Sequence, residues 1–150
     1  MKRNENIVLL SRDHHFGLLC SWKIRQGLKK EVELSRIKNY ILYFWKNHLE
    51  EHFHEEEHLL FPPLTDEYSS RIQYEHHQIK TLILQIENSE NAAHFSNFAD
   101  LLEQHIRFEE RSWFPHLEEK LDPEVLNIIG KELDQIHSEE KDLYPDEFWK

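Results

Sequence analysis

His52-Phe53-His54-Glu55-Glu56-Glu57-His58-Leu59-Leu60-Phe61-Pro62-Pro63-Leu64 returns, 53 positions later, as His105-Ile106-Arg107-Phe108-Glu109-Glu110-Arg111-Ser112-Trp113-Phe114-Pro115-His116-Leu117. The two stretches agree at the His, at two consecutive Glu, at Phe-Pro and at the final Leu, and an apolar residue follows the His in both. A shorter echo joins Asp13-His14-His15 to Glu75-His76-His77. Along the chain the order is therefore His, His-x3-Glu, His, His-x3-Glu. Residues i and i+4 of a helix lie one above the other, about 6 Å apart. His52 and Glu56 can thus aim an imidazole and a carboxylate at one point, and so can His105 and Glu109. The pattern predicts a metal site assembled from four helices.

Hydrophobic periodicity predicts those helices and a shorter fifth. The first runs over about residues 6–28, with Ile7, Leu10, Leu18 and Ser21 on one stripe. The second covers about 32–60 and carries Ile37, Ile41, Phe44 and Trp45 inward. Phe61-Pro62-Pro63 stops it, since proline lacks the amide hydrogen and clashes with the preceding turn. Thr65 is the expected N-cap of the third helix, which continues to about residue 87, and Asp66 and Glu67 suit its positive end. After the polar break Asn88-Ser89-Glu90-Asn91, the fourth runs over about 92–113 and ends at Phe114-Pro115. Asp122-Pro123-Glu124 opens the fifth, with Asp as N-cap and Pro at the first helical position. It reaches about residue 140, ahead of an aromatic tail from Tyr144 to Trp149. Short connections imply antiparallel neighbours. The expected fold is all-α: an antiparallel up-down-up-down four-helix bundle with an additional C-terminal helix. A single domain spans 1–150, with its metal-binding core at about 7–117 and the C-terminal helix and tail at about 122–150.

Composition bounds the function. With 39% apolar and 31% charged residues in 150, the chain has a soluble globular balance. Twelve His are an excess that needs a cause. The formal charge of -11 argues against nucleic acid or an anionic membrane as the main partner. No apolar run approaches the roughly 18 residues of a membrane span. With no secretory segment after Lys2-Arg3 and one cysteine, Cys20, the expected location is the cytoplasm.

The chemistry depends on which histidines face inward. In the fourth helix the stripe Phe98, Leu101/Leu102, His105, Glu109, Ser112 takes both groups inside. In the second, Ile41, Trp45, His48, His52, Glu56, Leu59 does the same. In the third, Ile72, His76, Ile79, Ile83 and Ile86 place His76 among aliphatic residues, while His77 shares a face with Gln73 and Lys80. In the first, His14 follows Ile7 and Leu10, whereas His15 follows Val8 and precedes Leu19 and Trp22. His14 is favoured because it follows an acidic residue as His76 does; His15 stays the alternative. His48 is a ligand, a supporting group or a core histidine. His54 and His58 point away from His52 and are expected in solvent. His94, His116 and His137 have no supporting context. Phe44, Trp45, Phe53, Phe61, Phe98, Phe108 and Phe114 are expected in the core. Four buried imidazoles and two carboxylates need strong partners. They exceed what one tetrahedral zinc requires, and two first-row ions sharing bridging carboxylates fit best.

These residues resemble the hemerythrin-like, or HHE cation-binding, domain family: Asp13-His14, His52-Phe-x-x-Glu56-Glu57 with Leu-Phe-Pro, Glu75-His76, and His105-Ile-x-x-Glu109-Glu110 with Phe-Pro. The resemblance covers about residues 7–117. It implies a four-helix bundle with a non-haem di-iron centre, in which His14, His52, His76 and His105 are terminal metal ligands and Glu56 and Glu109 bridge two Fe ions. Glu57 and Glu110 match its second acidic position. It also implies binding or sensing of O2 or NO, or iron and redox handling. Oxygen-carrying members place two His four residues apart on the third helix. Here Ile72 and Gln73 stand four before His76 and His77, which shifts weight from O2 carriage to sensing, redox or iron handling.

Manganese and zinc accept the same donors. Two rivals follow: an oxidase, ferroxidase or peroxide-reactive enzyme, and a helical interaction module with a structural metal. Ferritin-like enzymes use Glu-x-x-His pairs on two helices. Here Glu51-x-x-His54 and Glu55-x-x-His58 share one helix, with their His facing outward, and the fourth helix has none. Whether the protein is an enzyme stays open at this point. The expected partners are O2, NO or peroxide, with no nucleic acid and no membrane, and a homo-oligomer is compatible with the sequence.

Overall fold

In the computed structural model, which describes residues 2–138 and 143–150, every regular element is helical. The elements are α1 (Val8–Lys29), α2 (Leu34–Phe44), α3 (Glu50–Glu55), α4 (Glu67–Glu87), α5 (Ala92–Phe108), α6 (Phe114–Lys120) and α7 (Pro123–Ile136). Three π-helical turns, Trp45–Leu49, Glu56–Leu60 and Glu109–Trp113, interrupt longer rods. The rod over 34–60 is α2, a π turn, α3 and a second π turn; α5 runs through the third π turn into α6. None of the described helices is long and apolar enough to cross a membrane.

Local chemistry sets the boundaries. Asp66, rather than Thr65, caps α4: its side chain accepts from the Tyr68 and Ser69 amides, and the Ser69 hydroxyl accepts from the Asp66 amide. That reciprocal pair satisfies orphan donors that a threonine one residue earlier would miss. Thr65 instead donates its hydroxyl to the Phe61 carbonyl. Asn91 caps α5 through the Ala93 amide. Pro115 does not end the fourth rod. It sits in the first turn of α6, directly after a π turn, where the missing amide hydrogen is not needed. The last helix ends at Ile136; the extension expected to residue 140 falls partly outside the described residues.

Two apolar clusters divide the interior. The larger joins Cys20 and Ile24 of α1, Ile37, Tyr40, Ile41 and Phe44 of α2, Phe53 of α3, Ile79 to Ile86 of α4 and Phe95 to Ile106 of α5. The smaller joins Ile7, Leu10, Leu60, Ile72, Trp113, Phe114 and Leu117 with Leu126, Ile129 and Leu133 of α7. On every rod the switch between clusters comes at the histidine-bearing stretch. A polar layer is therefore held between two dry ones.

The aromatic tail belongs to the larger cluster. Phe148 is buried against Gly27, where an added Cβ would lie 2.8 Å from its ring. Trp149 lies under the Lys23 ammonium, 4.0 Å from the ring centroid. Phe148 and Trp149 are thus covered by residues of this chain.

Candidate metal centre

Two of the three π turns begin at a candidate ligand, Glu56 and Glu109. A π turn carries one extra residue, and such turns are frequent at functional sites. Its wider pitch moves the inward positions from i+3 and i+4 toward i+4 and i+5. Trp113 and Phe114 are accordingly buried after Glu109, while Ser112 is only half-buried. After Glu56 the buried residue is Leu60, not Leu59, and at the first π turn it is Leu49, not His48. The expected inward places of Ser112, Leu59 and His48 are corrected on that ground.

His14 on α1, His52 on α3, His76 on α4, His105 on α5, Glu56 and Glu109 are all buried. Their ligand atoms fall into two groups, His14/His52/Glu56/Glu109 and His76/His105/Glu56/Glu109, each within 4.8 Å. Glu109 points Oε1 at His14 Nε2 and Oε2 at His105 Nε2, at 2.8 Å each. Glu56 points Oε2 at His52 Nε2, 3.1 Å away, and Oε1 at His76 Nε2, 3.0 Å away. Both carboxylates therefore span both groups. His14 Nε2, His52 Nε2, His105 Nε2, Glu56 Oε2 and both Glu109 oxygens are buried with no hydrogen-bond partner. Buried polar atoms are nearly always satisfied, so six orphans converging on one spot ask for a cation. Imidazole nitrogens and carboxylate oxygens about 3 Å apart also have the spacing of neighbouring donors around an ion held at about 2.1 Å. The residues fit a metal pair.

Each histidine is turned by a carboxylate at its other nitrogen. His14 Nδ1 donates to Glu110, His52 Nδ1 to Asp13, His76 Nδ1 to Glu57 and His105 Nδ1 to Glu75, at 2.7 to 2.8 Å. Each of these acids neighbours a candidate ligand in sequence, yet serves a histidine on another rod. Asp13 beside His14 holds His52, and Glu75 beside His76 holds His105. Outer carboxylates of this kind fix the tautomer and raise the donor strength of the ring. The acids are held in turn: Glu110 by Ser11 and Arg3, Glu57 by Lys80, Glu75 by Arg71 and Asp13 by His137.

Electrostatics follow. Burial alone would push His14 down, but the Glu109 and Glu110 carboxylates beside it prevail and raise it to about 9. His76 is buried as well, and Glu109, Glu56 and Glu57 raise it to about 10. His52 and His105 are also raised against their burial, by Glu56 and Asp13 and by Glu109 and Glu75 respectively. Glu109 goes well below its ordinary range: burial opposes this, and His105 outweighs it. Without a cation the carboxylates recruit protons onto the rings, the behaviour of a site built for positive charge.

The remaining expectations sort cleanly. His15 and His77 are exposed. So are His54 and His58, whose rings lie 3.7 Å apart. His48 is half-buried and joins neither main group; its ring packs on Tyr43 and Phe44. Ile72 is buried among apolar residues and gives α4 no second inward imidazole. Among the aromatics, Phe53 stacks on His76 at 3.8 Å and Phe114 on His14 at 5.4 Å. They shield the rings from water. Trp45, Phe61 and Phe108 are half-buried rather than core. Two further histidines have context after all. His116 meets Asp66 at 2.7 Å and stacks on Tyr68. His137 meets Glu55 at 2.7 Å and Asp13 at 3.2 Å. Their acids lie 50 or more positions away in sequence, which no local pattern reveals.

An all-helical chain whose four rods turn histidines and shared carboxylates onto a buried polar layer has the form of a cation-binding bundle. The hemerythrin HHE cation-binding domain matches residues 16–117, more than half of the chain, and the protein belongs to that family. The match begins two residues after His14 and ends before α7. No curated protein and no solved structure matches the chain.

Proposed function

We propose that this protein is a non-haem di-iron protein that binds or senses a small diatomic ligand, O2 or NO, or handles iron and redox chemistry. One observation carries the reading: Glu56 and Glu109 each direct one oxygen to either of two histidine pairs. In this reading His14 and His52 would hold one ion and His76 and His105 the other, with Glu56 and Glu109 available to both. The switch of apolar clusters along each rod supports the antiparallel up-down-up-down arrangement, in one domain with α7 added. Two imidazoles with carboxylate per ion is a donor type that leaves positions open on non-haem Fe(II), although manganese and zinc accept it too. When bound, the iron pair supplies electron-transfer chemistry toward O2, NO or peroxide.

The chain's own residues supply placement and dryness. Asp13, Glu57, Glu75 and Glu110 keep each Nδ1 protonated, so that each Nε2 faces the centre. Phe53 and Phe114 cover the rings. A void of about 10 Å³ touches His14, His52 and His105 and is closed by Gly17, Phe44, Leu49 and Phe53. It is apolar on that side and at the lower limit for a single water. We place the protein in the cytoplasm, a reducing setting that suits a lone buried Cys20.

The test is an optical spectrum of the Fe(II)-loaded full chain as O2 is added. A new near-ultraviolet band that reverses on removing O2 supports a carrier or sensor. A band that persists and turns over with added peroxide moves the protein to the oxidase class. Loaded iron that gives no spectral change with O2 or NO contradicts the reading.

A further inference from the structure

Among the four carboxylates that orient the candidate ligands, three are held by permanently charged side chains, Arg3, Lys80 and Arg71. The fourth, Asp13, is held by a histidine. Its Oδ2 accepts from His52 Nδ1 at 2.8 Å, and its Oδ1 faces His137 Nε2 at 3.2 Å. The opposite nitrogen, His137 Nδ1, lies 2.7 Å from Glu55 Oε1. Both acids are buried, Asp13 at 7% exposure and Glu55 at 2%. His137 comes from the segment after α7, outside the family match.

We propose that His137 is a positioning residue of the metal centre, a clasp from the C-terminal segment that holds Asp13 and, through it, His52. The inference rests on the two-metal reading above.

The clasp follows from charge and geometry. Asp13 and Glu55 would otherwise bury two carboxylates side by side, and one ring bonded to both relieves that. With both nitrogens facing an oxygen, the ring carries both protons. The Asp13 and Glu55 hydrogen bonds raise it to about 10, against its burial. An anchored Asp13 keeps the His52 proton on Nδ1 and leaves Nε2 for the metal. A displaced Asp13 would release the ring.

The same three residues could be read as a third cation site, since their ligand atoms lie within 4.8 Å and Glu55 Oε2 has no hydrogen-bond partner. The donor set argues otherwise: this group offers one imidazole and two carboxylates, whereas each group at the main centre offers two imidazoles and two carboxylates. His137 also lies beside a cavity of about 60 Å³ that it lines with His48, Glu51 and His52. Free imidazole therefore has a way in when the side chain is removed.

The experiment loads the full-length wild type, His137→Ala and His137→Gln anaerobically with Fe(II), counts iron per chain and follows its release to a chelator. Far-ultraviolet circular dichroism checks that the variants fold. The wild type should hold two ions released at similar rates. In His137→Ala one ion of the two should leave about ten-fold faster or more, the size of loss typical of removing an outer partner. Added imidazole should restore slow release, and His137→Gln, which offers one donor group, should fall between. Unchanged release in folded His137→Ala, or a failure of imidazole to rescue it, overturns the clasp and leaves the two-metal reading intact. Three ions in the wild type and two in His137→Ala overturn it in favour of a third site. Fewer than two ions in the wild type sink both proposals.

Discussion

Glu109 sends one oxygen toward His14 and the other toward His105, at 2.8 Å each, and has no exposure to water. Replacing it with Gln keeps the shape but halves the donor capacity and removes a charge that both ions of the proposed pair would share. Glu109→Gln should hold at most one iron per chain, by elemental analysis after anaerobic loading; two would show that the bridge is dispensable. The histidines also set a pH dependence in the metal-free protein. His14 and His76 are raised above the ordinary 6.5, to about 9 and about 10. Their contribution is full below about pH 6.5 and is lost as pH rises through those values. Asp13, Glu57, Glu75 and Glu110 are lowered, so theirs is present above the ordinary carboxylate range and lost as pH falls. Thermal melts of metal-free protein should therefore peak between about pH 4.5 and 6.5 and decline toward pH 10; a flat profile from 6.5 to 10 would contradict the assignment. Binding expels the same protons, so Fe(II) affinity should rise with pH across that range. At this scale the six candidate ligands were legible because each stands on an apolar stripe. The orienting role of Asp13 and Glu75 was not assigned. Each is visible as an acid beside a ligand, but its partner sits on another rod, and one sequence does not pair rods.

The rods themselves were readable to within a few residues, since the apolar periods are long and Asn91, Asp122 and Pro62 punctuate them. The π turns were not. A template of 3.6 residues per turn has no place for an extra residue, so it put Ser112 and Leu59 inward where Trp113 and Leu60 are buried. The same extra residue lets the fourth rod continue past Pro115. Inserting one alanine after the exposed Arg111, in the turn Glu109–Trp113, should swing the following residues by about 100°. Trp113, Phe114 and Leu117 would leave the smaller cluster while His105 and Glu109 stayed in register. Truncating one such aromatic costs roughly 3–5 kcal/mol, so the insertion should lower the melting temperature by about 10 °C or more. An unchanged melting temperature would mean that the register set by the π turn is not what seats this end of the bundle.

For the whole molecule, the described residues form two apolar clusters with the charged layer between them. That layer is where stability and function meet. Four rods converge on buried carboxylates and imidazoles that only a cation or extra protons can satisfy. Iron should therefore act as a fastener. At a free Fe(II) concentration about 100 times its dissociation constant, linkage adds about 2.7 kcal/mol, or roughly 5–10 °C in melting temperature for a chain of this size. Calorimetry with and without metal checks this, and an unshifted transition would argue that the ion binds unfolded chain equally well. The C-terminal segment was the least legible part. Its aromatic tail had no assigned place and its His137 no supporting context, because the contacts that bury Trp149 and pair His137 join distant parts of the chain.

The most direct test of the two-ion centre is iron stoichiometry in the full chain after anaerobic Fe(II) loading and desalting, alongside His52→Ala and His105→Ala. The account predicts two irons per wild-type chain and a loss of at least one in either variant, because each histidine sits in a different group and both groups share Glu56 and Glu109. Less than one iron per wild-type chain, or a content that neither substitution lowers, would contradict it.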